Sequence, residues 1–301
     1  MKTLDAPGTA AILPYAALVD ALRRAATGAA LGQINCPQRQ VVAMPGDAAV
    51  LSMIAVGSDL AVHKLVTYVP ANPNRGLPTI QGQVSVWDAT TGMHRLTLDG
   101  ATVTGRRTAA LSMLGIVSLL PHRPRAVRII GTGTQARHHV AAVAALFPEA
   151  RITVTGRTRA ATEAFCSWHA KISASLAPAS SAVCETEVEV VIACTTSQEP
   201  VYTEPARAGR LVIAVGSFTP VAAEIAAETV RASQIYVDDL DSARHEAGDL
   251  IRAGVDWATV RPISQRFFDG DMPSGAVLFK TVGHAAWDLA AGRVAVASLG
   301  A

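Results

Sequence analysis

Arg125-Ala126-Val127-Arg128-Ile129-Ile130-Gly131-Thr132-Gly133-Thr134-Gln135-Ala136 is the stretch that decides the fold. Its first six residues read as a short apolar strand, and a helix follows through Leu146. Between them stands Gly131-x-Gly133-x-x-Ala136. Gly131 permits a tight turn, Gly133 has no side chain to block a pyrophosphate, and Ala136 is small enough for the helix to pack on the strand. The helix then offers free N–H groups and the positive end of its dipole to phosphates, with Thr134 and Gln135 in its first turn. A glycine pattern alone is weak evidence; between a strand and a helix of a βαβ unit it is strong.

The end of the second strand of such a unit distinguishes two dinucleotides. An acid there bonds the ribose 2′-hydroxyl of NAD. Here Thr155-Gly156-Arg157-Thr158-Arg159 has no acid, and lies 156 − 131 = 25 residues from the first glycine to Gly156. Two arginines and a threonine suit a 2′-phosphate. NADPH is therefore the expected cofactor, with NADH left open.

Working outward, short apolar runs at Ala126–Ile130, 152–155, 188–193, 211–215 and 235–237 alternate with helical stretches. That pattern predicts a parallel sheet covered on both faces. Upstream, residues 11–31 read as an amphipathic helix with Leu18, Leu22 and Ala25 on one face, and residues 40–104 read as an antiparallel meander. In that meander Asp99-Gly100 is read as a turn and 101–104 as a strand, with a helix only after Arg107. A last Ala-rich helix, about 281–299, is expected to pack back on the first region. The predicted class is α/β. A Rossmann, doubly wound parallel sheet (117–280) joins an α+β domain for substrate binding and dimerisation, built from 1–116 and 281–301.

With 301 residues, half of them hydrophobic, and a net charge of +2, the chain is globular and has no electrostatic footprint for nucleic acid or anionic membrane. The apolar run around 109–120 is too short to span a bilayer, and residues 1–14 lack the pattern of a signal peptide, so the cytoplasm is the expected compartment. Cys36, Cys166, Cys184 and Cys194 are scattered and are read as buried free thiols. The eight histidines show no metal-ligand spacing, and no metal is expected. His245 reads as structural, while Asp238 and Asp239, closing a strand, either face the cofactor cleft or cap the next turn.

Arg39, Lys64 and Arg107 stand among mostly apolar neighbours. Long cations in such contexts need an anion, and a carboxylate substrate would provide one. Taken singly, each also reads as an ordinary surface or structural charge, and spacing alone does not bring them together.

At these residues the chain resembles the ornithine cyclodeaminase/mu-crystallin family. The shared pieces are His63-Lys64-Leu65-Val66-Thr67, Gly76-Leu77-Pro78-Thr79, Thr91-Gly92, Leu98-Asp99-Gly100, Arg107-Thr108-Ala109-Ala110, Gly131 to Ala136, Val215-Gly216, Val237-Asp238, Glu246-Ala247-Gly248-Asp249 and Phe279-Lys280-Thr281-Val282-Gly283. The resemblance implies a homodimer in which Arg39, Lys64 and Arg107 bind the substrate carboxylate, Arg107 at the junction with the cofactor. It implies dinucleotide contacts from Thr79, Gly131, Gly133, Thr134, Gln135, Ala136, Arg157, Thr158, Arg159, Thr195, Thr196, Val215, Gly216 and Thr281. Val282 falls beside the substrate and Glu246 at the pocket's edge.

One position departs from the cyclodeaminase pattern. Those enzymes carry a catalytic Asp two residues after the glycine equivalent to Gly216, where this chain has Phe218. Phenylalanine cannot take up a proton, so Gly-Ser-Phe-Thr-Pro looks more like the branch that reduces cyclic ketimines. What this implies is NADPH-dependent reduction of Δ1-pyrroline-2-carboxylate to L-proline and of Δ1-piperideine-2-carboxylate to L-pipecolate. Lys64 is the first candidate proton donor, Glu246 the second, and Phe218 a pocket wall. The competing readings are an open-chain amino-acid dehydrogenase of the alanine dehydrogenase type, then a non-catalytic NADPH binder, then cyclodeamination.

Overall fold

The computed structural model describes residues 2–179, 187–270 and 272–300. The chain divides into two compact units, Met1–Ala110 with His284–Ala301, and Leu111–Gly283.

The first unit is a six-stranded sheet backed by helices. Its strands are β1 (Lys2–Thr3), β2 (Gln40–Met44), β3 (Ala48–Val56), β4 (Leu60–Tyr68), β5 (Ile80–Asp88) and β6 (His94–Asp99), in spatial order β1-β6-β5-β4-β3-β2. All neighbours are antiparallel except β1, which pairs parallel to β6. The helix predicted over 11–31 is α2 (Tyr15–Ala30), and a short helix that was not predicted, α1 (Ala6–Ala11), precedes it. Pro14 separates them, because its ring bars the preceding residues from continuing into α2. Leu18, Leu22 and Ala25 are all fully buried on α2.

The strand expected over 101–104 does not exist. Helix α3 (Gly100–Leu119) begins instead at Gly100. Asp99 Oδ1 accepts the N–H of Thr102 at 2.8 Å, the bond of a helix N-cap. Asp-Gly serves turns and helix starts alike, and here the cap prevails. The final helix, α10 (Ala285–Leu299), starts later than predicted, because 277–280 is a strand and residues 281–283 connect the two. Gly292 brings α10 against the sheet: a Cβ there would lie 3.0 Å from Val62 and 3.4 Å from Val86.

The second unit holds eight parallel strands. They are β7 (Ala126–Ile130), β8 (Arg151–Thr155), β9 (Leu176–Pro178), β10 (Val190–Ala193), β11 (Leu211–Ala214), β12 (Gln234–Val237), β13 (Arg261–Pro262) and β14 (Val277–Lys280). The spatial order is β13-β12-β14-β11-β10-β7-β8-β9. From β7 the chain runs outward through β8 to β9, then returns to place β10 on the other side of β7. That reversal opens a crevice at the carboxyl ends of β7 and β10, where dinucleotides bind in doubly wound sheets. β14 is a strand the sequence reading missed, inserted between β11 and β12. Helices α4 (Thr134–Leu146), α5 (Arg159–His169), α6 (Ala227–Arg231), α7 (Leu240–Glu246), α8 (Gly248–Ala253) and α9 (Arg266–Asp269) complete the unit.

Cys166 and Cys194 are buried free thiols, whereas Cys36, expected to be buried, is only half-buried; Cys184 lies outside the described residues. Among the described residues no helix is long and apolar enough to cross a membrane, and no group of three or more His, Cys, Asp or Glu side chains could hold a metal ion.

Candidate active site

In the second unit the glycine loop has the form a pyrophosphate requires. Gly131 has φ 128°, a conformation closed to ordinary side chains, and a Cβ there would stand 2.7 Å from the Cys194 carbonyl oxygen. Gly133 is the opposite case: its Cβ direction is open, with no atom within 4 Å. It occupies the N-cap of α4, which no side chain caps. The first-turn N–H groups of Thr134, Gln135 and Ala136 are donors that no earlier turn can satisfy. Ala136 is fully buried under the sheet, and Gln135 Oε1 is buried without a hydrogen-bond partner. An open glycine cradle, an uncapped helix and an orphaned acceptor fit a bound dinucleotide.

At the end of β8, Arg157, Thr158 and Arg159 are all exposed. Thr158 Oγ1 caps α5 by accepting the N–H of Ala161, and Arg159 pairs with Glu163 at 2.7 Å. Asp239 caps α7 through Ser242, and the Asp238 carboxylate accepts the N–H groups of Val282 and Gly283 at 3.0 and 2.9 Å. The capping alternative therefore describes Asp239, while Asp238 fixes the turn that carries Val282. His245 is exposed, with Nδ1 2.8 Å from the Asp241 carbonyl oxygen, a local helical contact.

Behind the loops after β10 and β11 lies a buried ionic group that sequence reading missed. Glu224, Asp249 and Lys280 are each at most 1 % exposed. Lys280 Nζ lies 2.8 Å from Asp249 Oδ2 and donates to the Ser217 carbonyl at 2.6 Å. Glu224 accepts from the Thr195 backbone and hydroxyl and from the Gly216 backbone. Burial pushes the Glu224 carboxyl above the usual carboxylate range, opposed first by the attraction of Lys280. Glu246 is half-buried at the end of α7, and Phe218 is half-buried directly after Ser217.

In the first unit, Lys64 falls on the inner face of β4 with Leu60, Val62 and Val66. Its ammonium is 2.8 Å from Asp288 Oδ2 on α10, and Arg107 Nε on α3 is 3.4 Å from Asp288 Oδ1. The register explains the meeting. Gly292 packs on Val62; Asp288 lies four residues before Gly292 on the helix, and Lys64 two residues after Val62 on the strand. Four helical residues span about 6 Å and two strand residues about 6.6 Å, so the two side chains come level. Lys64, Arg107 and Asp288 are 2 %, 6 % and 0 % exposed.

Burial draws the Lys64 pKa down to about 8. The Asp288 carboxylate opposes this, and the positive charges of Arg107 and then Arg39 reinforce it. Arg39, half-buried just before β2, thus belongs to the same cluster. Two buried cations share one carboxylate, an arrangement that an anionic ligand would balance. Thr79, half-buried directly before β5, completes the expected residues of this unit. The other expected residues, from Gly131 to Val282, lie in the second unit.

Asp288 and the Glu224–Asp249–Lys280 group left one faint signal in the sequence: a charge inside an apolar run, as in Leu278-Phe279-Lys280 and Trp287-Asp288-Leu289.

A family model described as "Ornithine cyclodeaminase/mu-crystallin family" matches residues 9–296. The chain belongs to that family. Within it, the chain is 51% identical over 295 residues to the Delta(1)-pyrroline-2-carboxylate reductase 2 of Burkholderia ambifaria, covering 98% of this chain and 95% of that one. It is 50% identical over 301 residues to the Delta(1)-pyrroline-2-carboxylate/Delta(1)-piperideine-2-carboxylate reductase of Azospirillum brasilense, covering 100% and 97%. Among solved structures, the Delta(1)-pyrroline-2-carboxylate reductase of Thermococcus litoralis, in complex with NADH and L-proline, superimposes with a TM-score of 0.89. The match covers 99% of this chain and 97% of that one at 23% identity. The family's fold is thus the fold of this chain.

Proposed function

We propose that this protein is an NADPH-dependent ketimine reductase that converts Δ1-pyrroline-2-carboxylate to L-proline and Δ1-piperideine-2-carboxylate to L-pipecolate. The observation that carries the proposal is the pair of buried cations, Lys64 and Arg107, that share the Asp288 carboxylate with Arg39 near enough to act on Lys64, in a chain half identical to reductases so named. An α-carboxylate is the anion this cluster suits, and an arginine can grip it with two parallel hydrogen bonds.

Gly131, Gly133, Thr134, Gln135 and Ala136 would hold the reduced nicotinamide dinucleotide, whose chemistry here would be to supply a hydride. Thr195, Thr196, Val215, Gly216, Thr281 and Thr79 are its further contacts. Arg39 and Arg107 hold the substrate carboxylate and so orient the C=N carbon. Lys64, protonated below about pH 8, donates the proton that the imine nitrogen gains as its carbon gains hydride, leaving a saturated secondary amine. Glu246 is the second candidate for that proton. Phe218 and Val282 are apolar walls beside the iminium, and Phe218 gives a cyclodeaminase no acid to work with.

The 2′-phosphate preference rests on Arg157, because Arg159 already pairs with Glu163. Replacing Arg157 by serine should erase a preference for NADPH over NADH. Homodimerisation is supported by apolar residues on the sheet face opposite Lys64: Val42, Ile54, Val56 and Leu65 are 39–61% exposed. A second copy would cover them, and sedimentation equilibrium tests this.

The deciding experiment follows NADPH absorbance with each ketimine carboxylate in turn, and with pyruvate plus ammonia. Turnover of the ketimines alone supports the proposal; turnover of pyruvate plus ammonia alone replaces it with an alanine dehydrogenase-type reaction.

A further inference from the structure

The carboxylate of Glu224 gathers four donors from two separate loops. Oε1 accepts the Thr195 backbone N–H at 2.6 Å and its hydroxyl at 2.8 Å, from the loop after β10. Oε2 accepts the Gly216 N–H at 2.6 Å and the Ser217 N–H at 3.3 Å, from the loop after β11. The loops are pressed together, since a Cβ on Gly216 would stand 1.9 Å from the Thr195 carbonyl oxygen. Lys280 takes the other side of Ser217, donating to its carbonyl, and is itself anchored by Asp249. Asp249 in turn accepts the N–H groups of Glu224 and Ile225 at 2.6 and 2.9 Å. Gly248 closes the arrangement: any Cβ there would collide with the carbonyl oxygens of Ala222 and Thr219.

We infer that Glu224 is a positioning residue, locking the Thr195 and Gly216–Phe218 loops into one rigid floor for the dinucleotide and for the Phe218 wall. The inference rests on the reading of these loops as dinucleotide contacts, and it adds what holds them. A purely stabilising ion group could sit anywhere in the core. This one spends all four acceptor positions of one carboxylate on the backbone and hydroxyl of two crevice loops. Nothing in that geometry requires Glu224 to touch the ligand, so its effect travels through Thr195 and Gly216.

The test uses the full-length protein. Glu224→Gln keeps shape but turns one oxygen into an NH2 that must face the donors of one loop. Each lost bond to a charged acceptor weighs enough to shift dinucleotide affinity by about tenfold. NADPH dissociation constants should therefore rise about tenfold, while amide hydrogen exchange at 195–197 and 215–219 accelerates without nucleotide. Glu224→Asp, which keeps charge and both oxygens, should recover part of both effects. If Glu224→Gln does not fold, Thr195→Val decides through exchange at 215–219 without nucleotide, which loss of a direct ligand contact by Thr195 would not move; faster exchange there, restored by Thr195→Ser, supports the inference. Parent-like NADPH affinity and exchange in a folded Glu224→Gln, or parent-like exchange at 215–219 in Thr195→Val, overturns it. Failure of the parent to reduce ketimines would overturn the proposed reaction instead, because affinity and exchange are read without any imine.

Discussion

Lys64 and Asp288 form an ion pair at 2.8 Å with neither side chain more than 3% exposed, although one lies on β4 and the other on the last helix of the chain. The pair leaves the cluster electropositive, because Arg107 leans on the same carboxylate. Lys64 is thereby held as a cation at neutral pH, yet as a stronger acid than a lysine in water.

Lys64→Ala should abolish most ketimine reduction, by about a hundredfold or more in kcat/KM, the usual scale for loss of a general acid. NADPH affinity should stay near the parent value, as read by calorimetry. Retained turnover would assign the proton to another group, Glu246 first.

A pH profile tests the same residue differently. Below about 8 Lys64 keeps its proton; above that kcat/KM should fall with pH as the donor is lost. Asp288→Asn removes the attraction that holds the Lys64 pKa up, so the inflection should move to lower pH. The substrate's own titration is the same for both proteins, so the difference between the two profiles isolates Lys64. Superimposable inflections would detach it from the proton step.

Gly131 and Gly133 should respond in opposite ways. Asp is a favoured N-cap, and Gly133 has φ −93° with open space beyond it, so Gly133→Asp should keep or raise Tm. Its carboxylate would meet the pyrophosphate, weakening NADPH binding by roughly a hundredfold or more. Gly131→Val puts a branched side chain at φ 128° against the Cys194 carbonyl, and should lower stability by about 1–3 kcal/mol or more. Thermal melts and NADPH titrations of the two variants read both effects.

His139 on α4 should shape acid unfolding. It is fully buried between the Gln135 carbonyl and the Ser112 hydroxyl, and burial lowers its pKa from 6.5 to about 4. Between those values the unfolded chain holds a proton that the folded one refuses. Its contribution, about 3 kcal/mol, is full above pH 6.5 and is lost as pH falls to about 4. Urea titrations across that window should show the slope, and His139→Gln should flatten it.

The elements that could be read from sequence were those whose causes are local. Strand, glycine turn and helix at 126–146 follow from consecutive residues, and β7 spans Ala126–Ile130 as expected. The misread places are those where one local signal serves two structures: Asp99-Gly100 caps a helix where a turn was expected, and Pro14 divides α1 from α2. β14 was missed because three apolar residues and a lysine shortly before a helix carry no periodicity that distinguishes strand from helix.

By itself, the sequence determined the Gly131-x-Gly133-x-x-Ala136 turn between a strand and a helix, a stretch from Thr155 to Arg159 with no acid, and a phenylalanine at 218. Tertiary structure alone decided that Asp288 would answer Lys64 and Arg107, and that Glu224 would join two loops. Such pairings depend on how closely α10 approaches β4, and on which strands become neighbours in the sheet. Those are consequences of packing over long chain separations, which residue order does not display.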